Sequence, residues 1–125
     1  MDNPNMTFTY EDLFCSKLIG GMTEVRVGNY LRSYRWNLFY PPGSRGIADM
    51  IAIKNEWMIA IQCKSSVGNL NSGDTDDLMN FCKPLNAYPV FTNCINGKIG
   101  WHKLSGKTWE KIPYPKHGNP FKPSI

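Results

Sequence analysis

The chain has 125 residues, 42% of them hydrophobic, 13% aromatic and 19% charged, with a formal net charge of +4. That length and balance fit one folded domain with a real core and exclude a disordered chain; the mild basic excess permits a nucleic-acid partner without requiring one. No apolar run approaches the ~20 residues of a membrane span, and the opening Met1-Asp2-Asn3-Pro4-Asn5 has no signal-peptide pattern, so a soluble, cytoplasmic protein with no membrane partner is expected.

In chain order, residues 7–19 (TFTYEDLFCSKLI) read as a short helix that Gly20-Gly21 ends. A second helix starts near Thr23. Val27, Tyr30, Leu31 and Tyr34 recur on it at helical spacing, and Glu24 lies in its first turn. Trp36 to Tyr40 reads as a strand that Pro41-Pro42-Gly43 stops, followed by a flexible loop, Gly43-Ser44-Arg45-Gly46. Ile47–Ile53 and Trp57–Cys63 are apolar runs joined by Lys54-Asn55-Glu56. They predict a β-hairpin, central in its sheet and covered on both faces. A polar loop over 65–75 leads to a helix capped by Asp74 and ended by Pro84.

Two further strands, Pro89–Thr92 and Lys98–Leu104, are joined through Asn96-Gly97. From Ser105 four prolines alternate with lysines, which predicts an extended tail. The order α-α-β-β-β-α-β-β implies a mixed α/β sheet flanked by helices. Its divisions are an N-terminal helical extension (1–22), a core (23–104) and a Pro/Lys-rich tail (105–125). Cys15, Cys63, Cys82 and Cys94 show no C-x-x-C pair, and His102 and His117 stand apart from them. Reduced thiols are therefore expected rather than zinc. His102 reads as a strand-surface residue.

The hairpin carries the chemistry. With the turn at Asn55-Glu56, residue 49 falls opposite residue 62, and residues 62 and 64 share a face. Asp49, Gln62 and Lys64 thus meet at one end of two very apolar strands, a costly place for polar groups without partners or a task. A surface ion pair of Asp49 with Lys64 is the plainer alternative.

The stretches Gly46-Ile47-Ala48-Asp49-Met50-Ile51-Ala52-Ile53 and Ile59-Ala60-Ile61-Gln62-Cys63-Lys64-Ser65 resemble the PD-(D/E)XK nuclease core. More narrowly, they are similar to the archaeal-type Holliday junction resolvases and their viral relatives. The resemblance spans roughly residues 22–104. It implies a restriction-endonuclease-like fold and matches Glu24 to the helix glutamate, Ser44 to the loop serine, Asp49 to the metal-binding aspartate and Lys64 to the lysine. Gln62 departs from the family, standing where a carboxylate is usual. An amide oxygen can still ligate a hard cation but brings no charge.

What the resemblance implies is a Mg²⁺-dependent endonuclease, with Mn²⁺ as a substitute. Glu24, Asp49, Gln62 and the Cys63 backbone carbonyl would hold the ion. Lys64 would orient the attacking water or stabilise the transition state. The substrate would be branched DNA, a four-way junction cut by a homodimer inside a prokaryotic or virus-infected cell. Arg26, Arg32 and Arg35 around the second helix, and Arg45 in the loop, are candidate phosphate contacts. Two alternatives stand beside it: a nuclease of the same fold acting on nicks, flaps or ends, and a branched-DNA-binding module whose site has decayed at Gln62.

Overall fold

A computed structural model describes residues 13–15, 21–42, 46–64 and 67–121. Helix α1 (Gly21–Ser33) leads into a short strand β1 (Asn37–Phe39) and the hairpin β2 (Met50–Lys54) and β3 (Trp57–Cys63). Helix α2 (Ser72–Cys82) follows, then β4 (Tyr88–Ile95), β5 (Lys98–Ser105) and β6 (Thr108–Ile112). All six strands form one sheet in the order β1-β2-β3-β4-β5-β6. Every neighbouring pair is antiparallel except β3 with β4. A parallel pair needs a crossover, and α2 supplies it. This is the mixed α/β sheet flanked by helices that the sequence predicts.

The hairpin keeps its predicted register, with Met50 opposite Ile61 and Lys54 opposite Trp57. Asn55 takes a left-handed conformation in the turn (φ 55°), which asparagine tolerates better than most residues. Ile59, Ala60 and Ile61 are all fully buried. Ile59 and Ile61 pack in a core with Val27, Tyr30 and Leu31 of α1. Ala60 packs with Leu78 and Cys82 of α2 and with Phe91. Side chains alternate between faces along a strand, so the hairpin is covered on both sides as expected.

Three expectations are corrected. Asn71, not Asp74, caps α2, its Oδ1 accepting the Asp74 N–H at 2.7 Å. The extended tail from Ser105 is instead part of the fold. Thr108–Ile112 is an edge strand paired with β5, and the chain beyond it folds back over the α1 face. There Tyr114 lies 5.5 Å from Tyr30, ring to ring, and Phe121 is buried edge-on to Trp36. Lys54 Nζ pins this strap, donating to the Lys116 carbonyl at 2.6 Å and the Tyr34 carbonyl at 2.7 Å. Prolines exclude a regular ladder but not burial, and the aromatic residues between them supply the buried area.

The third correction concerns the cysteines: Cys15 is joined to Cys94 by a disulfide, while Cys63 and Cys82 are free. Of the helix expected over 7–19, only 13–15 are described. Leu13 there belongs to a 3-10 turn, and Phe14 forms an antiparallel bridge with Lys98.

Candidate active site

Asp49 sits just before β2, where the pairing departs from the hairpin register by one residue. Its N–H donates to the Ile61 carbonyl at 2.7 Å. Its side-chain Oδ2 accepts the Cys63 N–H, also at 2.7 Å. The backbone at the end of β3 therefore fixes the carboxylate. Glu24, in the first turn of α1, hydrogen-bonds the Asp49 side chain. Burial first, then that hydrogen bond and the Asp49 charge, raise the Glu24 pKa to about 7. An ionised Glu24 would sit against the Asp49 charge, and that repulsion, added to burial, favours its protonated form. The place of that proton also suits a cation.

Gln62, at the end of β3, faces the α2 side. With Gly46, Ile47, Asp74 and Asp77 it lines a cavity of about 120 Å³. Its Oε1 is buried and accepts no hydrogen bond among the described residues. A buried acceptor left unpartnered costs about 1–3 kcal/mol. The sequence marks Asp74 only as a helix cap and gives Asp77 no role. Only the packing of α2 reveals that they face Gln62. Cys63 turns the other way, into the α1 core, and burial pushes its thiol well above the ordinary range. It therefore offers its backbone, not a thiolate.

Lys64 leaves the sheet with its N–H on the Thr92 carbonyl at 2.8 Å. Its ammonium donates to the Asn69 carbonyl at 3.0 Å. Ser44 and Arg45 lie outside the described residues. Among the other arginines, Arg26 Nη1 donates to the Phe14 carbonyl at 2.9 Å. Arg32 donates to the Tyr40 hydroxyl at 3.0 Å and lies over that ring. Arg35 belongs to the turn after α1, with φ 69°. These three do not line up on one helix face; Arg26 and Arg32 are about 120° apart around α1. His102, expected on a strand surface, is buried at 6% exposure.

The structure thus brings Glu24, Asp49 and the Cys63 backbone into one cluster, and sets Gln62 and Lys64 at the same end of β3 on the α2 side. Carboxylate oxygens and an unpartnered amide oxygen are hard donors, the kind that Mg²⁺ or Mn²⁺ prefers. Glu24 and Asp49 offer such oxygens together, whereas Gln62 lines the cavity with Asp74 and Asp77; among the described residues no three His, Cys, Asp or Glu side chains gather as a metal-holding group. A larger groove of about 600 Å³ between α2 and β6 contains none of these side chains.

No family model matches this chain, and no curated protein does. Among solved structures it is similar to Hjc from Archaeoglobus fulgidus, a Holliday junction resolvase from an archaeal hyperthermophile. The TM-score is 0.55 at 15% identity, over 73% of this chain and 84% of that one. The two share a fold. No helix of the described residues is long and apolar enough to cross a membrane.

Proposed function

We propose that this protein is a divalent-metal-dependent endonuclease that hydrolyses phosphodiester bonds in branched DNA, with the four-way junction as its substrate. The observation that carries the reading is the Glu24–Asp49 carboxyl pair, held at the end of β3 by the Cys63 N–H. It sits on a fold shared with a Holliday junction resolvase. Glu24, Asp49, Gln62 Oε1 and the Cys63 carbonyl would hold Mg²⁺, or Mn²⁺ in its place. Such an ion, when bound, polarises the phosphate and acidifies its water.

The chain's own groups do the rest. Glu24, whose proton is favoured by burial and the Asp49 charge, would give that proton up when a cation competes for the site. The Asp49 carboxylate stays aimed because the Cys63 N–H holds it. The Lys64 ammonium, which donates to the Asn69 backbone carbonyl, would serve the charge that grows on the phosphate oxygens. A symmetric junction cut in two strands needs two such sites, so the working unit is a homodimer.

Gln62 supports a second reading: with a neutral amide in place of a carboxylate, the protein binds branched DNA and does not cut it. One assay separates the readings. Synthetic four-way junctions, flaps and duplexes are incubated with the protein in Mg²⁺, Mn²⁺ or EDTA. The nuclease reading expects metal-dependent cleavage that favours the junction and that Asp49→Ala abolishes while binding persists. Junction binding in Mg²⁺ without product favours the second reading. Cleavage of flaps or ends in preference to junctions moves the substrate, and wild-type rates in Asp49→Ala would sink the site.

A further inference from the structure

Among the buried titratable side chains that the catalytic scheme leaves without a task is His102. His102 on β5 points to the α2 side, its ring parallel to Phe91 with centroids 4.5 Å apart and planes 11° apart. Its Nε2 lies 2.9 Å from Asn93 Oδ1. The other end of that amide, Nδ2, donates to the Gly68 carbonyl at 2.9 Å. This second bond fixes the orientation of the amide, because a flipped Asn93 would set its oxygen against the Gly68 oxygen. With Oδ1 turned to the imidazole, His102 must carry a proton on Nε2 and donate it. Burial, with the Lys111 charge next, lowers the His102 pKa. The ring is then neutral at neutral pH, with its one hydrogen committed to Asn93.

The far end of this chain is one residue from the candidate site. Gly68 is followed by Asn69, whose carbonyl receives the Lys64 ammonium at 3.0 Å. Gly68 has φ 105°, a conformation that effectively requires glycine. Lys64 is therefore held at both ends from neighbouring residues of β4. Thr92 takes its backbone N–H, and Asn93 holds the segment on which its ammonium rests. Gly100 closes the arrangement from behind, since a Cβ there would stand 2.7 Å from Asn93 Oδ1 and 3.3 Å from His102 Nε2.

We propose that His102 is a positioning residue: through Asn93 it fixes the Gly68–Asn69 segment and so sets where the Lys64 ammonium stands. The catalytic meaning of this chain rests on the nuclease reading; its structural content does not. Without the Nε2–H donor, Asn93 Oδ1 becomes a buried orphan, its amide can turn, and Gly68 loses its fixed donor. The ammonium then samples other positions, a misplacement that costs turnover more than binding.

The test compares wild type, His102→Phe, His102→Gln and Gly100→Ala as full-length proteins. His102→Phe keeps the ring against Phe91 and removes the donor. His102→Gln restores an amide N–H at the place of Nε2. Gly100→Ala displaces the Asn93 amide with His102 intact. Two readouts are taken: junction cleavage, split into kcat and KM, and amide hydrogen exchange over 67–71 against that over β4 and β5. The expectation for His102→Phe and Gly100→Ala is a fall in kcat of about tenfold or more with KM little changed. Exchange over 67–71 should speed by about tenfold or more while the strands stay protected, and His102→Gln should recover both. Unchanged exchange over 67–71 in His102→Phe overturns the inference. So does equal loosening of the strands, with His102→Gln as damaged as His102→Phe, which would make His102 a core residue only. If the wild type cuts no junction, the nuclease reading falls and exchange alone decides the positioning chain.

Discussion

At the scale of single residues, the Glu24–Asp49 contact makes stability depend on pH in an unusual direction. The Glu24 pKa rises from 4.5 to about 7 on folding, so between those values the folded state holds more protons than the unfolded chain. The contribution of Glu24 is complete below about pH 4.5 and is lost as pH climbs through about 7. In EDTA, the melting temperature of the wild type should therefore fall across that window more than that of Glu24→Gln. Added Mg²⁺ should raise it more at the alkaline end, where no proton competes. Gln62→Glu tests the neighbouring position. A new charge facing Asp74 and Asp77 should destabilise the metal-free protein by roughly 1–2 kcal/mol and lower the Mg²⁺ concentration needed for cleavage. An unchanged metal requirement would show that residue 62 does not touch the ion. Asp49 was legible in the sequence because a carboxylate on an apolar strand is conspicuous. Its pairing with Glu24 came only from the resemblance, and the acids facing Gln62 were not legible, since their placement depends on how α2 packs. His102 was misread because a histidine in a strand gives no local sign of which face is covered.

At the scale of elements, legibility followed local chemistry. The central hairpin was readable to the register because a short polar turn between two apolar runs leaves few pairings. The edge strand β6 was not, and its apolar residues show why: Trp109 packs on the α2 side and Ile112 on the α1 side, so no alternation appears. At the start of α2 the sequence reading picked Asp74, but Asn71, three residues earlier, accepts the Asp74 N–H and caps the helix. Asn71→Ala should cost about 1 kcal/mol of stability, read from the midpoint of denaturant unfolding. The same substitution at Asp74 should cost less, because Asp74 does not cap the helix.

At the scale of the whole molecule, two cores share one sheet, and the strap beyond β6 seals the α1 side. At Gly118 the strap lies against the sheet so tightly that a Cβ there would overlap the Trp57 indole. Gly118→Ala should lower stability by about 1–3 kcal/mol through overpacking, measured by chemical denaturation. A wild-type midpoint would mean that the strap shifts at no cost. The fold class and the central hairpin were evident from the sequence, whereas this closure was hidden by a composition that favours extended chain. The sheet has one further property, which concerns how it comes into being. Its spatial order is its chain order, so during synthesis each strand can emerge beside a partner already present. One step breaks this progression: Tyr88 must return to lie parallel to β3 across the whole of α2, a long closure that precedes any reward. Until it happens, the largely apolar β3 has an open edge that other nascent chains can reach. Aggregation during expression should therefore be set at that moment, and a truncation ending within α2 should be the form most prone to it.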